Sequence, residues 1–279
     1  MNVITTVADM VKAQDQAKRP LGLVPTMGYL HEGHMTLVRR ARQETSTVAV
    51  SIFVNPTQFG PGEDFARYPR DMHRDLEMLR GEGVDIVFAP TVEEMYPSGH
   101  STYVDVEKIT TRLEGERRPG HFRGVATVVA KLFTIVRPNR SYFGQKDGQQ
   151  VAVIKRLNQD LNLGTEIIVV PTVREPDGLA MSSRNVYLTP EERHAAPVLY
   201  RSLCQVRQLW EQGQRDAEAL RQEMVRIITD EPLAHIDYVS IADAQTLEEL
   251  KQVNGPAMVS LAVRFGKTHI IDNITLLGA

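Results

Sequence analysis

Short apolar runs alternate with amphipathic segments over the first two thirds of the chain. Most of the runs are rich in valine or isoleucine and are followed by glycine or proline, which is typical of buried strands. They occupy residues 21–24, 48–54, 84–89, 142–143 and 167–170. Apolar residues at helical spacing separate them, over residues 71–80, 125–136 and 149–161. Strands joined by helix-length connections predict an α/β fold, a Rossmann-like doubly wound sheet of parallel strands.

The pattern changes after about residue 185. Thr189 and Pro190 form a strong helix start, because threonine caps a first turn and proline suits the first helical position. We expect helices over residues 189–212 and 216–230, and strands over residues 236–241, 257–263 and 269–274. The chain therefore divides into a predicted first domain of residues 1–176 and a smaller α+β C-terminal domain of residues 177–279.

Composition narrows the range of functions. The chain has 279 residues, of which 42% are hydrophobic and 24% charged, as in ordinary globular proteins. Its formal net charge of −3 argues against nucleic acid as a partner. Cys204 is the single cysteine and lies in a helical pattern, so we expect a buried, inert thiol in a reducing compartment. No signal-peptide core or membrane-length apolar run is present, which predicts a soluble, cytoplasmic protein with no membrane partner.

The most informative segment runs from Pro25 to His34, where an apolar run gives way to a helical pattern. The first turn of a helix presents backbone N–H groups and a partial positive charge, which together bind phosphate. Gly28 and Gly33 would let a phosphate chain approach the backbone closely. His31 and His34 are spaced so that both rings can donate hydrogen bonds toward one point. The segment predicts an anion-binding turn suited to a triphosphate.

Two other interpretations of the histidine pair stay open from this segment alone. The spacing differs from the His-Glu-x-x-His pattern and no third ligand lies nearby in the sequence, so zinc binding is disfavoured. Two hydrogen-bonded surface histidines without a ligand are favoured over zinc. The remaining segments favour the phosphate site.

Polar residues also follow the second apolar run. The amides of Asn55 and Gln58 could recognise a hydroxyl and a carboxylate of a substrate, although Asn-Pro alone favours a simple turn. Asp75 lies in the next helical pattern and is a candidate Mg²⁺ ligand, because Mg²⁺ needs only one or two protein carboxylates. A solvated acidic helix face is the alternative for Asp75.

Three further groups could contact a charged substrate. The cationic loop of residues 117–124 is one, with an exposed basic turn as the alternative. Lys146 opens a helix after a strand, where it can neutralise phosphate, and Gln150 points to the same side one turn later. The Ser-Ser-Arg sequence of residues 182–184 could close over a triphosphate as a mobile loop, although the tripeptide is a weak signal alone.

In combination and in this order, these segments closely resemble the pantoate–β-alanine ligase family. The His-x-Gly-His motif by itself indicates only nucleotidyltransferase-like chemistry, whereas the combination is highly specific. The matching stretches are residues 25–37, 51–59, 68–70, 118–132, 142–150 and 174–185. They are spread over the first two thirds of the chain, and the layout of the remainder suits the family's small C-terminal domain.

The resemblance implies an ATP-dependent ligation of pantoate and β-alanine to pantothenate, a step toward coenzyme A. The reaction would pass through a pantoyl adenylate and release AMP and pyrophosphate, with Mg²⁺ as cofactor. The first domain would bind ATP and pantoate, the second would act as a lid, and the family is typically homodimeric. The attacking carboxylate is already ionised at neutral pH, so the first step needs no general base.

The resemblance also assigns residues to roles. The catalytic residues that bind phosphate would be His31, His34, Lys146, Ser182, Ser183 and Arg184. The rest of the ATP site would comprise Pro25, Thr26, Met27, Gly28, Gly144, Asp147, Val173 and Met181. Pantoate would contact Met27, Asn55, Gln58 and Gln150. Arg118 and His121 would lie on the β-alanine side, and Asp75 would bind Mg²⁺.

Two residues depart from the family's pattern, and two other functions compete with the ligase. Tyr29 stands where a small residue is usual, and Arg74 stands where many members carry a second acid. A cofactor adenylyltransferase on the same scaffold would share the histidines but would not need the amides. A nucleotide-binding regulatory module would be expected to have lost one of the phosphate-binding residues, all of which this chain retains.

Overall fold

The computed structural model of the chain describes residues 1–276 and contains two compact units. The first unit comprises Met1–Gly144 and Val153–Val170. The second comprises Gln145–Ala152 and the chain from Pro171 onward. The domain boundary between residues 176 and 177 that the sequence indicates stays a prediction.

The first unit is built on one parallel sheet of six strands. These are β1 (Asn2–Ile4), β2 (Leu21–Thr26), β3 (Thr47–Ile52), β4 (Ile86–Phe88), β5 (Arg140–Gly144) and β6 (Glu166–Val170). Their order across the sheet is β1-β4-β3-β2-β5-β6, and every neighbouring pair is parallel. The direction of winding reverses between β2 and β5, and ligands of doubly wound sheets bind at the carboxyl ends of the strands at such a point. The predicted Rossmann-like fold class is confirmed.

Helices connect these strands and complete the α/β architecture. They are α1 (Val7–Gln16), α2 (Glu32–Glu44), α3 (Met72–Gly81), α4 (Val92–Met95), α5 (Glu114–Arg117), α6 (His121–Val136) and α7 (Gly148–Asp160). Side chains cap the two helices that matter most for the site: His31 caps α2, and Asp71 caps α3 by accepting a hydrogen bond from the backbone N–H of Arg74. The helix starts in this region are therefore fixed by local side-chain contacts.

The second unit contains an antiparallel sheet and three helices of its own. They are α8 (Pro190–Ala195), α9 (Val198–Glu211), α10 (Ala217–Thr229), β7 (Ala234–Asp243), β8 (Ala257–Phe265) and β9 (Thr268–Leu276). The strand order is β7-β8-β9. Leu203 of α9, Leu220 of α10 and Leu261 of β8 belong to one buried apolar core. The predicted smaller α+β layout is confirmed.

Two expectations for this unit are wrong. A single helix over residues 189–212 is replaced by α8 and α9, which are separated at Ala196–Pro197, where proline offers no backbone N–H to continue the helix. Cys204 is exposed rather than buried, because the buried face of α9 passes through Leu199, Leu203 and Val206.

No helix within residues 1–276 is long and apolar enough to cross a membrane. The cytoplasmic location expected from the sequence stays a prediction.

Candidate active site

A tight turn links β2 to α2 at the carboxyl edge of the parallel sheet. Gly28 and Tyr29 both adopt left-handed backbone conformations, with φ of +83° and +52°. A Cβ atom on Gly28 would lie 3.0 Å from the side chain of Ile52 and 3.1 Å from Oδ2 of Asp75. Glycine therefore suits this position for both conformation and space. The turn delivers His31 to the N-cap of α2.

Asp75 of α3 holds this turn through hydrogen bonds to its main chain. Its Oδ2 accepts a hydrogen bond from the backbone N–H of Tyr29 at 2.8 Å, and its Oδ1 accepts from that of Leu30 at 2.7 Å. The side chain belongs to a residue only 1% exposed, and burial raises its pKa against the opposing effect of the two amide donors. Both carboxylate oxygens are thus engaged by the main chain, and the Mg²⁺ role of Asp75 stays a prediction.

The two residues that depart from the family's pattern contact each other. The guanidinium carbon of Arg74 lies 5.5 Å from the centroid of the Tyr29 ring, within the range of a cation–π interaction. Tyr29 is half-buried. The tyrosine in the turn is therefore in contact with the guanidinium of Arg74, which precedes Asp75 on α3.

The rings of His31 and His34 contact each other at the start of α2, with their centroids 4.1 Å apart and their planes inclined at 42°. Nδ1 of His31 accepts a hydrogen bond from the backbone N–H of Gly33, and Nδ1 of His34 accepts from that of His31, both at 3.2 Å. A ring nitrogen that accepts carries no proton, so in each ring the proton lies on Nε2. The two rings are thereby fixed in one tautomer, with Nε2 as the donor.

Asn55 organises the turn that follows β3. Its Oδ1 accepts hydrogen bonds from the hydroxyls of Tyr96 at 2.8 Å and Thr57 at 2.9 Å. Its Nδ2 donates to Oε1 of Gln58 at 3.2 Å and to the carbonyl of Gly124 at 3.1 Å. Both ends of the Asn55 amide are therefore hydrogen-bonded within the first unit, and one of these bonds holds the side chain of Gln58 in place.

Gln58 and Met27, two of the residues assigned to pantoate, lie together. Nε2 of Gln58 points at Sδ of Met27 at a distance of 3.0 Å, and Gln58 is 9% exposed. Beside Met27 a cavity of about 300 Å³ opens, lined mainly by apolar residues such as Ile52 and Phe53 and also by the charged residues Arg70, Asp71 and Asp75. An amide next to a thioether and an apolar cavity can accommodate a small molecule with both polar and methyl groups.

A network of charged side chains fixes the main chain at Gln58. Arg118 donates to both oxygens of Glu63, at 2.8 Å and 2.6 Å. The ring of His121 contacts the carbonyl of Gln58 through Nδ1 at 2.8 Å and Arg118 through Nε2 at 3.2 Å. Because Arg118 has only donors, Nε2 of His121 accepts and Nδ1 donates to the Gln58 carbonyl.

Burial and charge act on the pKa values of this network. Burial, together with the smaller effect of the positive charge of Arg118, lowers the pKa of His121 to about 4. Burial would raise the pKa of Glu63, but the hydrogen bonds and charge of Arg118 outweigh it and lower that pKa. The ring of His121 is therefore neutral and Glu63 is ionised near neutral pH.

The remaining predicted residues of the ATP site in the first unit line the end of the sheet. Pro25 and Thr26 close β2, and Gly144 closes β5. The Thr26 hydroxyl donates to the carbonyl of Ser51 at 2.7 Å and accepts from the backbone N–H of Gly28 at 3.2 Å. Thr26 thus ties the end of β2 to β3 and to the glycine turn.

In the second unit, Lys146 lies in a short 3₁₀ turn, residues 145–147, that leads into α7. Its ammonium lies 3.6 Å from the carboxylate of Asp147. Gln150 follows in the first turn of α7 and is half-buried. Lys146 and Gln150 therefore lie in the turn and in the helix start that follow β5, as predicted, and a common direction of their side chains stays a prediction.

A second segment of this unit leads to the Ser-Ser-Arg loop. The backbone N–H of Met181 donates to the carbonyl of Val173 at 3.0 Å, which closes a hairpin. The guanidinium of Arg174 forms a two-pronged ion pair with Asp272 of β9, at 2.6 Å and 2.9 Å. Ser182 then caps the 3₁₀ segment Ser183–Tyr187 by accepting from the backbone N–H of Arg184 at 3.2 Å.

Comparison with known proteins decides the family. The sequence model described as Pantoate-beta-alanine ligase matches residues 2–275 of this chain. The chain belongs to the pantoate–β-alanine ligase family. The predicted enzyme class, an ATP-binding ligase of pantothenate biosynthesis, is confirmed.

Relatives and solved structures of the ligase family match over nearly the whole chain. The pantothenate synthetase of Roseiflexus sp. is 60% identical over 276 residues, covering 99% of each chain. A pantothenate synthetase from Thermus thermophilus superposes with a TM-score of 0.95 at 51% identity, covering 98% of this chain and 99% of its own. A pantoate–β-alanine ligase from Francisella tularensis, solved with beta-gamma ATP and β-alanine, has a TM-score of 0.80 at 35% identity, covering 98% and 97%.

Several residues that shape this ligase's site carry no recognisable sequence signal. Tyr96 follows a four-residue helix, and nothing local indicates that its hydroxyl reaches Asn55. Asn273 lies in the last strand, yet its side chain contacts the turn that carries Lys146. Gly124 ends the cationic loop of residues 117–124, but nothing in the sequence indicates that it packs against the backbone of residues 57 and 58. No cluster of three or more metal-binding side chains occurs in the part of the chain that the structure describes.

Proposed function

We propose that this ligase joins pantoate to β-alanine in two steps through a pantoyl adenylate. In the first step a carboxylate oxygen of pantoate attacks the α-phosphorus of ATP, and the bond to the β-phosphate breaks to release pyrophosphate. In the second step the β-alanine amine attacks the acyl carbon, the bond from that carbon to the AMP oxygen breaks, and the amine loses a proton. The products are pantothenate and AMP.

The observation that carries the proposal is the histidine pair at the start of α2. Accepting backbone hydrogen bonds at Nδ1 leaves both rings with Nε2 as the donor nitrogen. The same helix end also offers the positive end of the helix dipole. Negative charge grows on the leaving pyrophosphate, so donors fixed before the reaction stabilise the transition state without reorganising. We assign this role to His31 and His34.

Met27 and Gln58 support pantoate as the acid. Pantoate carries two methyl groups, two hydroxyls and a carboxylate, and the thioether of Met27 next to the Gln58 amide offers a partner for each kind of group. Gln150 is proposed to contact the polar groups as well. The internal contacts of Asn55 support a role in orienting Gln58, since Asn55 donates to its Oε1.

In the second unit we propose phosphate contacts from Lys146, Ser182, Ser183 and Arg184. A lysine ammonium neutralises phosphate as a compact charge, and an arginine can bind two phosphate oxygens at once. The remaining contacts to ATP are assigned by family resemblance to Pro25, Thr26, Gly28, Gly144, Asp147, Val173 and Met181.

Three accompanying assignments rest on the family alone. Mg²⁺ is proposed to accompany ATP, held mainly by phosphate oxygens and water, because Mg²⁺ binds in this way at few-carboxylate sites. Arg118 and His121 are proposed to border the β-alanine position, in addition to fixing the main chain of Gln58. A cytoplasmic homodimer is the proposed form of the enzyme.

The test is a product assay with Mg²⁺-ATP, pantoate and β-alanine, omitting each in turn. We expect pantothenate, AMP and pyrophosphate in equal amounts, and only with all three substrates in multiple turnover. His34→Ala should abolish most of the activity, whereas His73→Ala, at an exposed histidine of α3, should match wild type. Transfer of AMP to a phosphate-ester acceptor with no amide product would instead favour an adenylyltransferase and overturn the proposal.

A further inference from the structure

Asn273, in the last strand β9, directs its whole side chain at the turn that carries Lys146. Its Nδ2 donates to the backbone carbonyl of Gln145 at 2.9 Å and to that of Lys146 at 2.8 Å. Its Oδ1 accepts from Nε2 of Gln145 at 2.8 Å. Asn273 is 4% exposed, so these bonds are shielded from water. Both amide protons and the amide oxygen of Asn273 are thus engaged by two consecutive residues.

The turn also packs closely against the sheet of the second unit. A Cβ atom on Gly148, the first residue of α7, would lie 2.7 Å from Sδ of Met258 and 3.0 Å from Oδ1 of Asn273. The first distance is shorter than real contacts to a Cβ atom and the second is at the tight end of their range, so the absence of a side chain at residue 148 lets the turn lie close to Met258 and Asn273. The turn is therefore held from two sides, by hydrogen bonds at its carbonyls and by packing at its exit.

Asn273 is itself held in place by its neighbour. Oδ1 of Asp272 accepts from the backbone N–H of Asn273 at 2.8 Å, while the same carboxylate pairs with Arg174. Asp272 is 2% exposed, and a buried carboxylate with a two-pronged arginine partner has a fixed orientation. The amide of Asn273 is therefore presented from a rigid part of β9.

We propose that Asn273 is a positioning residue of this ligase, which sets the place of the Lys146 ammonium by fixing the Gln145 and Lys146 carbonyls. The proposal rests on the phosphate-binding role of Lys146 in the proposed function. A lysine stem is a flexible chain of four carbons, so the place of the ammonium depends on where its backbone origin is held. Loss of the amide frees that origin, and an error of about 1 Å in a charge-stabilising group can lower a rate about 10²-fold.

The experiment is a double-mutant cycle on single-turnover pyrophosphate release from ATP and pantoate. Asn273→Ala should slow release about 10- to 100-fold in the wild-type background. In a Lys146→Ala background the same substitution should change the rate less than about two-fold, because residues that act through one group are not additive. Asn254→Ala, at an exposed asparagine of the same unit, is the matched control and should match wild type.

A second variant and a second readout separate this role from general stability. Gln145→Ala removes only the bond from Gln145 to Oδ1 of Asn273 and should slow release by a smaller factor in the same direction. Hydrogen exchange, followed by mass spectrometry over residues 145–150, should be faster in Asn273→Ala than in wild type and unchanged in Asn254→Ala. The rate of Gln145→Ala keeps the proposal testable if Asn273→Ala folds poorly, and a wild-type rate in that variant would then count against it.

Three outcomes would overturn the proposal. Equal rate losses in the wild-type and Lys146→Ala backgrounds would show that Asn273 acts through another group. A wild-type rate in folded Asn273→Ala would show that Lys146 needs no such support. Unchanged exchange over residues 145–150 would show that the turn is held without the amide. A wild-type chain that releases no pyrophosphate would refute the proposed function instead, and the exchange result alone would then decide whether Asn273 holds the turn.

Discussion

Gly124→Ala is the substitution that tests most sharply how the turn of residues 55–58, called the Gln58 turn below, is held in place. Gly124 lies in the first turns of α6, against the backbone of residues 57 and 58. A Cβ atom there would lie 2.5 Å from the carbonyl carbon of Thr57 and 2.6 Å from the backbone nitrogen of Gln58. Because the contacted atoms belong to the main chain, no change of side-chain rotamer relieves the clash.

The size of the effect follows from these distances. Carbon atoms that do not bond approach to about 3.5–4.0 Å, so the Gln58 turn and α6 must separate by about 1 Å. Overpacking of this kind costs about 1–3 kcal/mol of stability. The separation also stretches the bond from Nδ2 of Asn55 to the Gly124 carbonyl. If Gln58 binds pantoate, displacement by about 1 Å lowers kcat/KM for pantoate by as much as about 10²-fold.

The assay is steady-state pantothenate formation with pantoate or ATP varied, alongside urea unfolding. We expect kcat/KM for pantoate to fall and the KM for ATP to stay near the wild-type value. The reason is that the histidines assigned to ATP lie on α2, whereas the substitution is on α6. Gly81→Ala is the control: Gly81 is the last residue of α3, nothing lies within 4 Å of its Cβ position, and alanine there should alter stability by no more than about 1 kcal/mol. A folded Gly124→Ala enzyme with wild-type pantoate kinetics would refute the reasoning.

Three further predictions concern the phosphate site, the histidine of the network and the buried carboxylate. His34→Ala and Lys146→Ala should each slow adenylate formation about 10²–10³-fold, measured as pyrophosphate release, and wild-type rates in both would contradict the phosphate role. His121 has a pKa of about 4 when folded, below its ordinary 6.5, so the unfolded chain binds the proton more readily. Stability should therefore fall as pH drops from 6.5 to 4, by about 3 kcal/mol in all, and urea unfolding of His121→Gln should lack this component; an identical pH dependence would speak against it. Asp75→Asn should cost about 1.5–3 kcal/mol of stability, because a carboxylate that accepts two backbone bonds is replaced by an amide with one acceptor. Its activity should not return with added Mg²⁺, and recovery at wild-type stability would instead favour the metal role.

The fold class could be predicted because the strands carry a local signal. The apolar runs at residues 48–54 and 84–89 are followed by proline or glycine and are separated by helix-length segments, which suffices for a parallel sheet. β1 has three residues, which are too few to show a periodic pattern of apolar positions, so the sequence did not predict it. Apolar residues continue across the break between α8 and α9, from Ala195 to Leu199, so the hydrophobic pattern gives no sign of it.

Contacts within the candidate site were predictable where residues cluster in sequence, and not where the fold brings distant residues together. His31 and His34 share one turn, so their spacing alone indicates that the rings meet. The contact of Asn55 with Tyr96 spans 41 residues, and that of Asn273 with Lys146 spans 127. No pattern along the chain encodes such pairs, because they depend on how the elements pack.

Asp75 illustrates a different limit. An acid on a helix near a predicted phosphate site is a reasonable Mg²⁺ ligand by residue type. The structure adds that both of its oxygens accept backbone N–H groups of the turn between β2 and α2. The hydrogen-bond partners thus show a structural role that residue type does not indicate, while the Mg²⁺ role of Asp75 stays a prediction.

The most direct test of the adenylate route is a single turnover with pantoate labelled with oxygen-18 in its carboxylate. The account predicts pyrophosphate release before β-alanine is added and, after its addition, AMP that carries one labelled oxygen. The label moves because the oxygen that attacks the α-phosphorus stays with AMP when the acyl bond breaks. Unlabelled AMP, or label recovered in inorganic phosphate, would contradict a pantoyl adenylate.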